Sequence, residues 1–150
     1  MCLTLHNVSN INHHKLPIHG AMIQMKLHDG SEKNIVVMGD SGAGKSETIE
    51  QIKAYGEAYI EDIKTIYDDM GCLSLVDGKV KTSGTEVGAF VRLDDLDAGY
   101  SFKELDRSVF MNPDKVNARI VIPITDYKDV IADHDVDIFL YANNLSLIHI

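Results

Sequence analysis

Asn34-Ile-Val-Val-Met38, followed at once by Gly39-Asp40-Ser41-Gly42-Ala43-Gly44-Lys45-Ser46-Glu47, decides how this chain is read. Residues 34 to 38 are a short, nearly pure apolar run, the pattern of a strand buried on both faces. Residues 39 to 46 fit G-x-x-x-x-G-K-[ST] at every defined position. Chance yields on the order of one such match per 200 chains of this length, given ordinary glycine, lysine and serine usage. Beyond it, Ile49, Ile52 and Tyr55 recur at helical spacing while Glu50, Gln51 and Lys53 occupy the other face. That pattern predicts an amphipathic helix from Lys45 to about Tyr55, ended by Gly56.

Strand, glycine loop and helix in that order are what a phosphate-binding loop demands. Glycines let successive backbone N–H groups turn inward, and the helix N-terminus adds partial positive charge at the same spot. The expected nucleotide-binding stretch is therefore Gly39, Asp40, Ser41, Gly42, Ala43, Gly44, Lys45, Ser46 and Glu47. Lys45 would reach the outer phosphates and the Ser46 hydroxyl would take a magnesium position. The bland alternative is a glycine turn that only caps a helix. Glu47 suits the dipole of a first helical turn. Asp40 is either a loop-shaping side chain or a metal or proton-transfer group.

The 150 residues leave room for one domain, with 14 Lys plus Arg against 23 Asp plus Glu and a formal charge of −9. Apolar residues make up 45% and charged residues 25%, which argues against wholesale disorder. No apolar run approaches the ~18 residues of a spanning helix, and residues 1 to 10 do not resemble a secretory signal, so a cytoplasmic location is expected. Cys2 and Cys72 are too few for a disulfide framework. A net negative chain gains nothing from phosphate backbones, so neither nucleic acid nor a membrane is expected as a partner. Any anionic ligand must be held by a local device.

Elsewhere, residues 1 to 15 show no sustained period and read as a loose lead-in; His6, His13 and His14, without Cys or carboxylate partners, read as solvated. Ala21 to Leu27 predicts a strand ended by Asp29-Gly30. Asp77-Gly78 between Leu73-Ser-Leu-Val and Lys79-Val-Lys-Thr is a type I′ hairpin signal. Short strand-like runs follow at Val87 to Leu93, Val109 to Met111, Arg119 to Ile124 and Asp137 to Tyr141, and Asp126 to Ala132 predicts a short helical turn. With one long helix evident, the expectation is a mixed, β-rich α/β domain in which hairpins accompany a single strand, loop and helix unit. Asp94, Asp95 and Asp97 read as a solvated loop, and Cys72 has no basic neighbour in sequence to activate it.

Thr65-Ile-Tyr-Asp68-Asp69 sets two carboxylates at the end of a candidate strand, where a second acidic element commonly holds the metal of a nucleotide site. Adjacent strand residues face opposite sides, so at most one is expected to bind a cation directly. The alternative is an acidic turn before Gly71.

With these residues in place the chain resembles a known superfamily. Gly39 to Glu47, preceded by Leu16-Pro-Ile-His-Gly20 and a strand, is similar to the core of HPr kinase/phosphorylase. The same order of His, phosphate loop and paired Asp recurs in the phosphoenolpyruvate carboxykinases, and Asn117-Ala-Arg119-Ile-Val-Ile-Pro123 is similar to their Asn-x-Arg-x-x-x-Pro element. The span from about Leu16 to Asn144, with Gly84-Thr-Glu-Val-Gly88 and Arg107-Ser-Val-Phe-Met-Asn-Pro113, most resembles the bacterial phosphoenolpyruvate carboxykinase-like proteins, in which this module sits inside a much longer chain.

The resemblance implies a P-loop fold of that type, with ATP and Mg²⁺ or Mn²⁺ as cofactors. It implies that His19 matches a metal-binding histidine, Lys45 and Ser46 the nucleotide and magnesium residues, and Asp68 or Asp69 the second metal ligand. Arg119 matches the arginine that stabilises the phosphoryl group in flight, and Glu86 is a further polar candidate. The alternatives are a histidine that holds a turn and an arginine in a surface ion pair. The implied reaction couples oxaloacetate decarboxylation to phosphoryl transfer, giving phosphoenolpyruvate and ADP, with a small carboxylate as substrate. Two other functions stay open: a serine protein kinase of the HPr type, whose partner is a carrier protein, and a nucleotide-binding regulatory module without turnover.

Departures matter as well. Gly-Lys-Ser-Glu is the kinase/phosphorylase ending, where carboxykinases usually have Gly-Lys-Thr-Thr. No counterpart can be named for the carboxykinase arginine and lysine expected upstream of His19, or for the downstream segment that closes over the base. The expected core is thus residues 16 to 144, read as part of a longer protein, with 145 to 150 reading as a non-native tail.

Overall fold

The structure is a computed structural model, described here for residues 2–40, 42–92, 109–111 and 119–143. Its elements are α1 (Cys2–Asn12), β1 (Leu16–Leu27), β2 (Glu32–Met38), α2 (Lys45–Gly56), β3 (Ile60–Tyr67), β4 (Met70–Val76), β5 (Lys79–Gly84), β6 (Gly88–Arg92), β7 (Val109–Met111), β8 (Arg119–Pro123), α3 (Tyr127–Ile131), β9 (His134–Asp135) and β10 (Ile138–Tyr141). This is a mixed α/β chain dominated by strands. Among the described residues, no helix is long and apolar enough to cross a membrane.

β1 organises the larger sheet. One of its edges pairs antiparallel with β2, from Gly20↔Met38 to Lys26↔Glu32. Its other edge is divided: β4 takes the first half (Leu16↔Leu73 to His19↔Met70) and β3 the second (Met22↔Tyr67 to Leu27↔Ile60). β10 joins β2 in parallel, and β5 and β9 continue from β4, giving the order β10-β2-β1-β4-β5-β9 with β3 beside β1. A separate three-stranded sheet has the order β6-β8-β7.

Alternation along β1 and β2 feeds two cores. Ala21, Ile23, Met25, Ile35 and Val37 pack with Ile49 of α2, while Ile18, Met22 and Val36 pack with Ile66 and Tyr67 on the other face. The apolar run of β2 is therefore explained by burial on both sides. Each fully buried Ile, Val or Met in these strands is worth about 1.5–3 kcal/mol. The Asp77-Gly78 hairpin forms as its chemistry requires, with φ of 51° and 76° between the paired Val76 and Lys79.

Residues 1 to 15, read as a loose lead-in, contain a helix. α1 escapes a periodicity reading because no buried stripe supports it: Leu5, Val8 and Ile11 are all more than half exposed. It ends at Asn12, and beyond it His14 takes φ 59° while Lys15 N donates to Asn10 O at 2.8 Å.

Tyr67 joins the two halves of the sheet. Gly71 and Gly84 stand opposite each other on β4 and β5, and a Cβ on either would lie 2.5–2.7 Å from Tyr67. The glycine pair leaves a slot that the phenol fills. Thr82 Oγ1 donates to Cys72 O at 3.1 Å, so the Tyr67 hydroxyl is the donor in its 2.6 Å bond to Thr82. Burial pushes the phenol up to about 12. Gly71→Ala should cost about 1–3 kcal/mol through overpacking. Tyr67→Phe should cost about 0.5–1.5 kcal/mol, since only the hydroxyl bond is lost. Urea midpoints would check both, and an unchanged midpoint for Gly71→Ala would mean that the slot is not filled.

Candidate functional site

The glycine loop leaves the C-terminal end of β2 and enters α2. Two glycines in it need left-handed backbone, Gly42 at φ 75° and Gly44 at φ 90°, and a Cβ on either would meet nothing within 4 Å. Their conformation is required while the space above them stays open. Gly39 has the opposite reason: a Cβ there would come within 2.6 Å of Ala142 O. Gly44 is the N-cap of α2 and no side chain caps the helix, so its first N–H groups have no side-chain acceptor in the cap position.

Three segments are tied at this loop by main-chain bonds. Gly39 N donates to His19 O at 3.2 Å, and Gly20 N donates to Asp69 O at 2.9 Å. Asp68 and Asp69 form a bend where β3 gives way to β4 along β1. Strand alternation does not govern them there, so the premise that these two residues face opposite sides of a strand does not apply. Asp69 Oδ1 lies 2.9 Å from His19 Nε2, while Asp68 is close enough to Lys45 to feel its charge.

Lys45 is 8% exposed and donates to the carbonyls of Gly39 at 2.9 Å and Asp40 at 3.0 Å. Its Nζ also lies 3.3 Å from His19 Nε2. One ring nitrogen cannot donate to a carboxylate and accept from an ammonium together. The shorter contact assigns the Nε2 proton to the Asp69 bond, and Lys45 is held by the carbonyls.

Glu86, between β5 and β6, adds a third acid: its Oε1 is buried without a hydrogen-bond partner among the described residues. Burial raises the pKa of its carboxyl, and the charges of Asp69 and then Asp68 raise it further. The Asp68 carboxyl is also raised, by burial first and then by Asp69, with Lys45 opposing.

Lys45, His19, Asp68 and Asp69 are thus brought together from three places in the chain. Ser41 and the side chains of Ser46, Glu47 and Arg119 lie outside the described part of the structure, as do Asp94, Asp95, Asp97 and residues 145 to 150. The backbone of Arg119 pairs with Arg92 and Met111 in the three-stranded sheet. Among the described residues, no three His, Cys, Asp or Glu side chains converge to hold a metal ion by themselves. His6 and His13 bond within their own helix end, to Asn10 and to Ser9 O. The open groove lined by Asp62, Ile63, Lys64, Thr65, Ile122, Pro123 and Ile124 contains none of the site residues. The positioning role of Tyr67, one residue before the aspartates, had no signal in spacing or motif.

A carboxyl whose folded pKa is raised binds its proton more tightly in the native state. Its contribution to stability is complete below the unfolded pKa and is lost as pH rises through the folded value. Asp68 and Glu86 therefore oppose folding at neutral pH, and Asp68→Asn should melt higher than the parent at pH 7. The gap should close below the ordinary carboxylate range, where both forms are uncharged. An Asp68→Asn variant that melts lower at pH 7 would mean that the carboxylate is favourably paired. No protein-family model matches this chain, and no curated protein gives a significant sequence match.

Proposed function

We propose that this chain is an ATP-binding phosphoryl-transfer core of the phosphoenolpyruvate carboxykinase and HPr kinase type, with a P-loop at Gly39 to Ser46. One observation carries this reading: a buried lysine, drawn to the carbonyls of Gly39 and Asp40, stands beside a His19–Asp69 pair at the uncapped start of α2. A cationic side chain, carboxylates and helix N-terminal N–H groups are the parts that phosphoryl transfer requires.

The donor set suits a cation that is only half held by protein. Magnesium keeps several waters and takes one or two carboxylates plus substrate phosphates, so Asp69 with Asp68, and His19 for manganese, fit without a third acid. When bound, Mg²⁺ or Mn²⁺ would supply charge neutralisation on the phosphate oxygens. Lys45 would leave the loop carbonyls for the outer phosphates, and the loop N–H groups would hold the rest. With oxaloacetate as substrate, the enolate left by loss of CO2 is the phosphoryl acceptor.

The raised pKa of Asp68 favours a second acceptor, a serine hydroxyl on a carrier protein. A hydroxyl must lose a proton as it attacks, and a half-buried carboxylate of raised pKa is a suitable base. An enolate has no such proton to lose.

Calorimetry with Mg-ATP should show Lys45→Ala binding at least about tenfold more weakly, the scale of a lost charge-assisted hydrogen bond. Equal affinity would sink the nucleotide reading. Supplying a serine carrier or oxaloacetate separates the acceptors: with labelled ATP and the carrier, Asp68→Asn should lower turnover about 10²–10⁴-fold, the usual worth of a general base. Product from oxaloacetate, with no label on serine, would instead favour the carboxykinase acceptor; nucleotide binding with no product from either would leave a regulatory module.

A further inference from the structure

The geometry points to Tyr141 of β10 as the surface on which the base of the bound nucleotide stacks, which makes the site selective for a nucleoside triphosphate over inorganic polyphosphate. This rests on the nucleotide reading above. The cation-side residues, His19, Asp68 and Asp69, belong to β1 and to the bend beside it, on one side of β2. The terminal phosphates are drawn to that side by Lys45 and its neighbours. A nucleoside end directed away from that side lies toward β2, where β10 is the next strand.

β10 runs parallel to β2, so both strands finish at the glycine loop. Tyr141 pairs with Met38, the last residue before Gly39, and Ala142 N donates to Met38 O at 2.7 Å. Gly39 lacks a Cβ where Ala142 presses against it, so the end of β10 is seated directly on the start of the loop. Two strand spacings, about 10 Å, separate β1 from β10, and Tyr141 lies on the sheet face away from α2, so a ribose and triphosphate would span that length by passing over the strand ends at the loop. Tyr141 is 70% exposed and shares its face of the strand with Phe139, 42% exposed. The inner residues of this segment, Leu140 and Ala142, already serve the core around Ile49. Among the described residues Tyr141 belongs to neither core, and a heterocyclic base is the flat apolar partner that the loop would bring to it.

The test is calorimetry with Mg-ATP and with magnesium tripolyphosphate on the parent chain, Tyr141→Ala and Tyr141→Phe. Tyr141→Ala should bind ATP about tenfold more weakly, the scale of a lost base–aromatic stack. Tyr141→Phe should keep parental affinity, and tripolyphosphate should bind all three chains alike, which also shows that the loop is folded in each. Unchanged ATP binding by Tyr141→Ala, with tripolyphosphate still bound, overturns the base site and leaves the loop reading standing. An equal loss of both ligands in Tyr141→Ala overturns it too, because the residue would then support the loop rather than the base. Binding of neither ligand by the parent chain overturns both proposals.

Discussion

Tyr67 carries its ring into a slot that exists only because Gly71 and Gly84 face each other on β4 and β5 without a Cβ between them. The ring belongs to β3, pairs through its backbone with Met22 of β1, and ends in a bond to Thr82 of β5. One side chain thereby sets where β3 must stop and β4 must start. Asp68 and Asp69 occupy that transition, so the seating of the phenol acts on their position together with the bonds of Asp69 to Gly20 and His19. A closely packed interior transmits such a constraint because it has no slack to absorb a shift.

A chain of net charge −9 would meet an electrostatic difficulty in holding the polyphosphate of the proposed function. Its answer is local. Backbone N–H groups at the start of α2 and Lys45, held by loop carbonyls, supply local positive charge, and the neighbouring carboxylates would add to it only by holding a divalent cation. Crowding Asp68, Asp69 and Glu86 near one another costs stability, visible in the raised carboxyls of Asp68 and Glu86. Strain of this kind is expected where a group is kept for chemistry rather than for packing.

Particular residues show what was legible in one dimension. Ile35, Val36 and Val37 declared a doubly buried strand because no polar residue interrupts them, and Asp77-Gly78 declared its hairpin because both residues must take positive φ. Ile49 and Ile52 declared the inner face of α2. α1 was missed since helix formation there leaves its apolar side chains in solvent, and β3 was seen only as Thr65 to Tyr67 because its first residues, Glu61 and Asp62, are exposed and charged. The bend at Asp68 and Asp69 was hidden for another reason. It depends on β1 being long enough to pair with two strands along one edge, a non-local fact.

The amino-acid order alone determined the glycine loop, the strand before it and the helix after it, because local backbone conformation and hydrophobic period are properties of neighbouring residues. Tertiary structure decided which distant groups meet that loop. His19 and Asp69 are 50 positions apart and share a hydrogen bond, and Tyr141 reaches the loop only because β10 adds to β2 in parallel. Such meetings are fixed by strand pairing and by the space that glycines leave, and neither is encoded within a window of a few residues.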